Sequence, residues 1–247
     1  MVIPSNIIIN ADDFGANSTI NLAISKCFAL GIINSTSMIA NMKGFDDAIR
    51  MCKDNGFQDK IGLHVNLTAG KALTDLSKTK LVDEEGIFIK KKVNKKCIYL
   101  SHEVNKLVNT EIEAQLNALY VNNITPTHIN SHHHVHTFPW LAPTFIKVAN
   151  KFNLKIRIAQ TWNENNNILV PTYRFILNWL YKRYKINFTS RFETFESYNN
   201  AVSGIKNINY LTEIMVHPDL NSESEIYDSF DGSNLEKILN SIRNLAL

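Results

Sequence analysis

The histidines of this chain are concentrated in one short stretch. Five of the eight lie between residues 128 and 136, in the run HINSHHHVH. Neutral imidazole is the commonest metal ligand in proteins, so such a cluster predicts metal-dependent chemistry. A histidine tract can also be an affinity tag or a low-complexity metal buffer. Tags lie at chain ends, whereas this run is internal, so we predict that at least one of these histidines binds a metal or acts in catalysis.

The residues around the cluster predict how its side chains are presented. Several β-branched residues at its start are typical of a short strand. Side chains two apart on a strand share a face, so we expect His128, Asn130 and His132 to point the same way. Pro139 ends regular structure, so residues 133–136 are predicted to lie in the loop that leaves the strand.

A second candidate is the pair of adjacent carboxylates in the sequence NADD at 10–13. The apolar run before it is typical of a strand buried on both faces. Aspartate is a poor strand former and adjacent carboxylates repel, so we expect Asp12 and Asp13 at the carboxyl end of that strand, where a metal could offset the repulsion. Neighbouring side chains leaving a strand point in different directions, so the two could have different roles. An aspartate-rich turn before a helix cap is the alternative.

Two further histidines and one arginine stand at or near the ends of predicted strands. His64 lies in the third predicted strand, and His217 ends the last one, just before a proline. A lone histidine in a strand is usually a satisfied core residue, which is the alternative for His64. Arg157 could bind an acidic group or orient Asp12 or Asp13, and a surface or ion-paired arginine is the alternative.

The order of the elements predicts where these side chains meet. Strands alternate with helices, and their short connections indicate a parallel sheet in right-handed βαβ units. Residues 70–100 fit no regular period and are interpreted as an excursion, either a substrate-binding lid or decoration. Residues 191–204 are interpreted as a connector, and a last helix is expected over about 234–245. Ligands bind at the carboxyl ends of such strands, where five candidates would converge: Asp12, Asp13, His64, His132 and His217.

Composition narrows the classes of function. The 247 residues suit one α/β domain spanning 1–247, with 45% hydrophobic and 20% charged residues. A net charge of +3 is too small to predict a nucleic-acid partner, and the lysine-rich segment 90–96 is interpreted as a solvated loop. Three widely spaced cysteines predict reduced thiols in a cytoplasmic protein. We predict neither a signal peptide nor a membrane span, so no membrane partner is expected.

Four segments of the chain resemble the YdjC-like carbohydrate deacetylases, the chitooligosaccharide deacetylase group. They are IINADDFG at 8–15, IGLHVNLT at 61–68, THINSHHHVHTFP at 127–139 and EIMVHP at 213–218, and they occur in the family's order. The resemblance implies a distorted (β/α) barrel related to the polysaccharide deacetylases. It also implies a hydrolase that uses one divalent metal, usually magnesium, to remove acetyl groups from N-acetylated sugars such as chitooligosaccharides.

The resemblance also implies roles for the candidate residues. Asp13, His64 and His132 would be the metal ligands. Asp12 would be the general base, by similarity to the paired aspartates of the wider group. His217 could protonate the departing sugar amine. Two imidazoles and one carboxylate leave coordination positions open for water and substrate, as in catalytic metal sites. This ligand set is softer than the oxygen shell that magnesium prefers, so zinc, cobalt or manganese would suit it equally well.

One position departs from the family pattern. The family usually has an aspartate where this chain has Asn130, which puts in doubt any role that needs a charge there, such as ionically orienting His132 or His128. An asparagine can still hydrogen-bond a histidine. The residues expected to contact substrate or to support the ligands are Asn130, His128, Arg157, His134 and His136.

Two other functions fit the same residues. A metal-dependent phosphoesterase on a similar barrel would need two or three metals, for which His133, His134 and His136 could supply ligands. A noncatalytic metal- or sugar-binding module is the second, although binding alone requires neither an acid nor a base. The expected partner is a small-molecule sugar, and a homodimer is possible.

Overall fold

A sheet of seven parallel strands forms the centre of the fold. The computed structural model describes residues 3–93, 101–161, 169–202 and 210–235. The strands of the sheet are β1 (Ile7–Phe14), β2 (Ser35–Met38), β3 (Ile61–Val65), β4 (His128–Ser131), β5 (Lys155–Ile156), β6 (Arg191–Thr194) and β7 (Thr212–Val216). Their spatial order is β5-β4-β3-β2-β1-β7-β6, and the sheet curls into an incomplete barrel. The predicted distorted (β/α) barrel is confirmed.

Helices connect most of these strands. They are α1 (Ser18–Ala29), α2 (Phe45–Asp54), α3 (Lys90–Val93), α4 (His102–Tyr120), α5 (Ala142–Phe152), α6 (Leu169–Arg183) and α7 (Phe195–Val202). The helices α1 and α4 each begin at a side-chain cap. Asn17 Oδ1 accepts a hydrogen bond of 3.0 Å from the backbone N–H of Ile20, and Ser101 caps α4 in the same way.

The two faces of the sheet differ in chemistry. Ile9 and Ala11 of β1 and Leu63 of β3 are buried in the hydrophobic core on the outer face, which packs against the helices. The residues that alternate with them point into the barrel and are polar. This inner set is also fully buried and comprises Asn10, Asp12, Ser37, His64, Asn130, Arg157 and Glu213. A (β/α)8 barrel usually fills this space with branched apolar side chains, so the polar interior marks the site.

The end of β1 does not follow the strand alternation that the sequence predicts. The register between β1 and β2 shifts between Ala11 and Phe14, and Asp13 has a left-handed backbone with φ 69°. Asp12 and Asp13 therefore both approach the imidazole of His64. Asp12 Oδ1 lies 4.0 Å from its Nδ1, and Asp13 Oδ1 lies 3.1 Å from its Nε2. The two carboxylates thus reach opposite nitrogens of one imidazole, and their other partners differ, Arg157 for Asp12 and His132 for Asp13.

The connector predicted for residues 191–204 was also wrong in its first part. It contains β6 and α7, and β6 pairs with β7 over its whole length. Its sequence gives little strand signal because Glu193 and Thr194 are polar. These side chains are satisfied locally instead, since Ser197 Oγ donates to Glu193 Oε2 at 2.7 Å. Pro218 likewise does not end the chain's strands. It begins β8 (Pro218–Leu220), which forms an antiparallel hairpin with β9 (Ile226–Asp228).

The described part of the excursion, up to residue 93, packs onto the fold. Leu76, Leu81 and Phe88 are buried in its interior. It is tied to α4 by Glu111, whose carboxylate accepts hydrogen bonds from Thr74 Oγ1 at 2.6 Å and from the Thr74 backbone N–H at 2.8 Å. Cys97 lies outside the described residues. The last helix, predicted over about 234–245, also lies outside them except for its first two residues. Across the part of the chain that the structure describes, no helix is both long and apolar enough to cross a membrane.

Candidate metal centre and active site

Two side chains from separate strands and one from the segment that follows β4 form a compact cluster at the carboxyl end of the sheet. They are Asp13, His64 and His132, and one ligand atom from each lies within 4.8 Å of the others. Asp13 Oδ1 is 3.1 Å from His64 Nε2 and 2.8 Å from His132 Nδ1. Ligand atoms that surround one cation at about 2.1 Å are themselves roughly 3 Å apart. The spacing therefore suits a single divalent metal.

The surroundings of Asp13 also suit a cation. Its Oδ1 is buried and makes no hydrogen bond in the described structure, although both imidazoles are near. Burial raises the pKa of this carboxyl, but His132 and His64 lower it more, so it stays ionised. Burial lowers the pKa of His64, but Asp12 and Asp13 raise it above its ordinary value. The cluster thus favours added positive charge, which a divalent metal would supply.

Asn130 fixes the orientation of His64. Asn130 Oδ1 lies 2.7 Å from His64 Nδ1, and a carbonyl oxygen can only accept, so Nδ1 carries the proton. The lone pair of Nε2 then points towards Asp13, as a metal ligand requires. The neighbour of Asn130 is therefore His64, whereas the sequence directed attention to His132 and His128. Because the contact needs only a carbonyl oxygen, asparagine satisfies it without a charge.

Substitution of Asn130 should test this contact. We expect Asn130→Asp to keep metal affinity, since a carboxylate oxygen can still accept from His64, and to change turnover only modestly. Asn130→Leu removes the acceptor and should weaken metal binding about 10–100-fold, the usual effect of losing a ligand's supporting partner. Metal titration of the purified variants measures both. Loss of metal from Asn130→Asp would show that the amide group itself, through its donor, holds the site.

Ser37 is a residue of this network that the sequence did not indicate. Its Oγ donates to Asp12 Oδ1 at 3.0 Å and accepts from Asn130 Nδ2 at 3.0 Å and from Asn10 Nδ2 at 3.2 Å. A usable signal existed, because β2 reads Ser-Thr-Ser-Met although all four of its residues are buried. Polar residues are uncommon in a strand buried on both faces, so their presence there indicates hydrogen-bonded partners.

Arg157 lies between two buried carboxylates. Its Nη1 and Nη2 donate to the two oxygens of Asp12 at 2.6 and 2.7 Å, and its Nε donates to Glu213 Oε1 at 2.8 Å. The guanidinium also stacks over the Phe192 ring at 4.6 Å. Arg157 is fully buried, so it is not a surface arginine, but it is ion-paired, and its contact with Asp12 also fits the predicted role of orienting that carboxylate. Bidentate pairing of this kind is among the strongest charge-assisted contacts.

This arrangement separates the properties of the two carboxylates. Burial raises the pKa of Asp12, but Arg157 and His64 outweigh it, so the pKa lies well below its usual value. Asp12 Oδ2 accepts one hydrogen bond in the described structure, from Arg157, and the other donors reach Oδ1. Burial raises the pKa of Glu213, which Arg157 only partly offsets, and its Oε2 has no partner there.

His217 follows β7 at the rim of the same barrel end. Ala11 of β1 is paired with Val216 of β7, so Asp12 and His217 leave neighbouring strands at the same level. The ring of His217 stacks on Phe230 with centroids 5.8 Å apart, and its backbone N–H donates to Asp228 at 3.2 Å. His217 contributes to the lowered pKa of Asp12. The β8–β9 hairpin thus holds this imidazole beside the carboxylate.

The other histidines of the cluster have different surroundings. His128 is fully buried below the site, stacked on Phe188 at 4.1 Å, and burial lowers its pKa to about 3. A Cβ at position 62 would overlap its ring, which explains Gly62. His136 is also fully buried, and its Nδ1 lies 2.6 Å from Ser131 Oγ. Neither ring has surface from which to contact a substrate.

Residues 132–137 form a 3-10 segment interrupted by two left-handed residues. His133 and His134 have φ of 55° and 54°. This local reversal brings the ring of His133 to 3.9 Å from that of His132. His134 is partly buried, burial lowers its pKa to about 3, and it lines a cavity of about 90 Å³ with Phe192 and others. The predicted irregular segment is present, and its turn is tighter than a plain loop.

Comparison with known proteins identifies the family of this chain. The family model described as YdjC-like protein matches residues 6–244. The chain belongs to the YdjC-like family. A YdjC-like relative named carbohydrate deacetylase, from Clostridium beijerinckii, is 36% identical over 173 residues, covering 69% of this chain and 67% of the relative. Another of the same name, from Halalkalibacterium halodurans, is 28% identical over 221 residues and covers 86% and 84%.

A solved structure supports the YdjC-like fold. It comes from Enterococcus faecalis and is described as a candidate cellobiose-phosphate cleavage protein. It is 21% identical, covers 97% of this chain and 92% of its own, and superposes with a TM-score of 0.74. At this identity the likeness concerns the fold alone, and it agrees with the incomplete barrel described above.

Proposed function

We propose that this chain is a metal-dependent carbohydrate deacetylase that removes acetyl groups from N-acetylated sugars such as chitooligosaccharides. Its membership of a family whose relatives are named carbohydrate deacetylase supports a hydrolase that acts on the amide bond of a sugar. The observation that carries the finer proposal is the convergence of Asp13, His64 and His132 beside a buried, ionised Asp12. Substrate would enter at the carboxyl end of the sheet.

The chain's own residues supply the proton transfers of this proposal. When bound, a divalent metal would polarise the acetyl carbonyl and lower the pKa of water. Asp12, ionised at neutral pH, accepts the proton of the attacking water, and Oδ2 is the oxygen with fewer donors. The C–N bond then breaks, and His217 gives a proton to the departing amine. Arg157 orients Asp12 throughout and keeps it ionised until it accepts that proton.

The phosphoesterase alternative has less support. It needs ligands for a second metal, and within the described ranges Asp13, His64 and His132 are the one group of three such residues that comes together. His133 is hydrogen-bonded to Thr68 and Lys90, and His136 is hydrogen-bonded to Ser131. One metal per chain is therefore expected. Elemental analysis of the purified protein would measure it, and two would favour the phosphoesterase.

Chelation should abolish activity and leave the fold largely intact. The three proposed ligands lie in or directly after different strands of a large core, so the metal should contribute to function more than to folding, unlike that of a small zinc finger. The test is acetate release from N-acetylated chitooligosaccharides, with the metal-free protein reloaded by Mg²⁺, Zn²⁺, Co²⁺ or Mn²⁺. Circular dichroism of the metal-free protein is the control for folding. Full activity at negligible metal content would rule out a metal hydrolase, and no acetate release with any metal would favour a binding module.

A further inference from the structure

Two features that the sequence left unassigned meet beside the candidate metal centre. Lys90 belongs to the lysine-rich segment of the excursion, and His133 is one of the spare histidines. Lys90 Nζ lies 2.7 Å from His133 Nε2. On the other side of the ring, Thr68 Oγ1 lies 2.8 Å from His133 Nδ1. The same ring packs against His132 with centroids 3.9 Å apart.

The chemistry of these groups fixes the direction of each hydrogen bond. A lysine ammonium has hydrogens to donate and no lone pair, so His133 Nε2 accepts. His133 Nδ1 then carries the ring proton and donates to Thr68 Oγ1. Thr68 in turn donates to Asn66 Oδ1 at 3.3 Å. The ring is therefore neutral, and both of its nitrogens are satisfied in one consistent arrangement.

This chain of contacts is anchored in the rigid part of the fold. Thr68 and Asn66 are buried, and the Asn66 backbone N–H donates to Gln115 Oε1 of α4 at 2.9 Å. Gln115 Nε2 donates back to the Asn66 carbonyl at 2.9 Å and to Glu111, which also holds the excursion. The excursion and the turn after β3 thus form one hydrogen-bonded unit on α4.

This hydrogen-bonded unit contacts a segment of strained backbone at residues 133 and 134. His133 and His134 are consecutive non-glycine residues in the left-handed region, a conformation that is less favourable than ordinary ones because the Cβ atom crowds the backbone. Such a conformation persists where surrounding contacts enforce it. His133, the first of the two residues, accepts a hydrogen bond from Lys90 and donates one to Thr68, and it follows the proposed ligand His132 directly.

We propose that Lys90 and Thr68 are positioning residues for the metal centre, which hold His133 against His132 and so fix the direction of the His132 ligand nitrogen. The inference rests on the proposed metal function of Asp13, His64 and His132. It assigns the excursion a part in forming the metal centre. Lys90 makes no ion pair with a carboxylate in the described structure, so an imidazole, and not an acidic residue, is its partner.

The chain offers matched controls for Lys90. Lys91 and Lys92 are adjacent, exposed and of equal charge, and neither has a described contact with the site. Zn²⁺ would be titrated calorimetrically into metal-free Lys90→Ala, Lys91→Ala and Lys92→Ala. We expect Lys90→Ala to raise the Kd about tenfold, the lower end for loss of a supporting contact. Lys91→Ala and Lys92→Ala should equal the wild type, and Lys90→Arg, which can still donate, should recover most of the affinity.

Thr68 gives an independent arm. Thr68→Val keeps the shape and removes the oxygen that accepts from His133, so its Kd should also rise about tenfold, whereas Thr68→Ser should restore it. Equal Kd values for Lys90→Ala and Lys91→Ala would overturn the inference while leaving the proposed function intact. So would an unchanged Kd with a raised KM for Lys90→Ala, because Lys90 would then contact substrate. If the wild type bound none of Zn²⁺, Mg²⁺, Co²⁺ and Mn²⁺, the metal function itself would fail.

Discussion

Asp13→Asn is expected to lose metal binding and turnover together. Asp13 Oδ1 is the atom that both imidazoles approach, at 2.8 and 3.1 Å, and it is the one anionic ligand of the cluster. Loss of a partner that only supports a ligand costs 10–100-fold in affinity, so removing the charged ligand should cost more than about 100-fold. Calorimetric metal titration and acetate release at saturating metal measure the two quantities.

Asp12→Asn should separate the same two quantities. The asparagine keeps the size of the side chain but is a poor proton acceptor, so turnover should fall about 10²–10⁴-fold while the metal is retained. The new amide nitrogen is itself a donor and would face Ser37 and Arg157, which donate to Asp12 in the wild type, so the variant should lose some folding stability. Its assays should therefore be run well below its thermal unfolding midpoint. If Asp12→Asn loses the metal and Asp13→Asn retains it, the two roles are reversed.

Arg157→Met should be the most destabilising of the substitutions considered. It leaves two fully buried carboxylates, Asp12 and Glu213, without their shared cation. Breaking a buried ion pair from one side typically costs about 3–5 kcal/mol. Denaturant unfolding at pH 7 measures the loss, and Arg183→Met, an exposed arginine of α6, is the control. A change below about 1 kcal/mol would show that the two carboxylates do not need the arginine.

The same variant should differ from the wild type in how its stability depends on pH. In the wild type the pKa of Asp12 is lowered on folding, mainly by Arg157, so the stabilisation from Asp12 is present above its unfolded pKa and is lost as the pH falls through the folded one. Removing Arg157 removes the main group that lowers the pKa of Asp12 and the cation that partly offsets the raised pKa of Glu213, so both carboxyls should bind protons more readily in the folded state. Arg157→Met should therefore gain more stability than the wild type between pH 7 and pH 5.

The convergence of candidate side chains could be predicted from residue type and position along a strand, whereas the choice of three of them as metal ligands came from the resemblance to the family. Asp13, His64 and His132 are rare ligand residues at the ends of strands, and parallel strands bring their ends together. The inward turn of both aspartates could not be predicted, because a bulge depends on the register with β2. Strand β6 was missed for a similar reason, since its pairing with β7 outweighs a weak local pattern.

Histidine type alone did not distinguish ligands from core residues. His128 and His132 share a face of the predicted strand, yet His128 packs on Phe188 under the site and only His132 reaches Asp13. Depth within the barrel separates the two, and depth depends on which strands lie alongside. The role of Glu213 also could not be predicted, because it depends on a hydrogen bond from Arg157, which directly follows another strand of the barrel. A single sequence carries no direct record of such distant neighbours.

The polar interior of the barrel has a consequence for how this site could be transplanted. Asn10, Ser37 and Asn130 share hydrogen bonds so closely that each satisfies a neighbour on another strand. Grafting only the three ligands onto a barrel lined with aliphatic side chains would leave their orientation undetermined. The transferable unit is the whole lining of four or five strands. Divergence at these positions should accordingly occur in concerted sets of exchanges, with most single intermediates carrying an unsatisfied buried group.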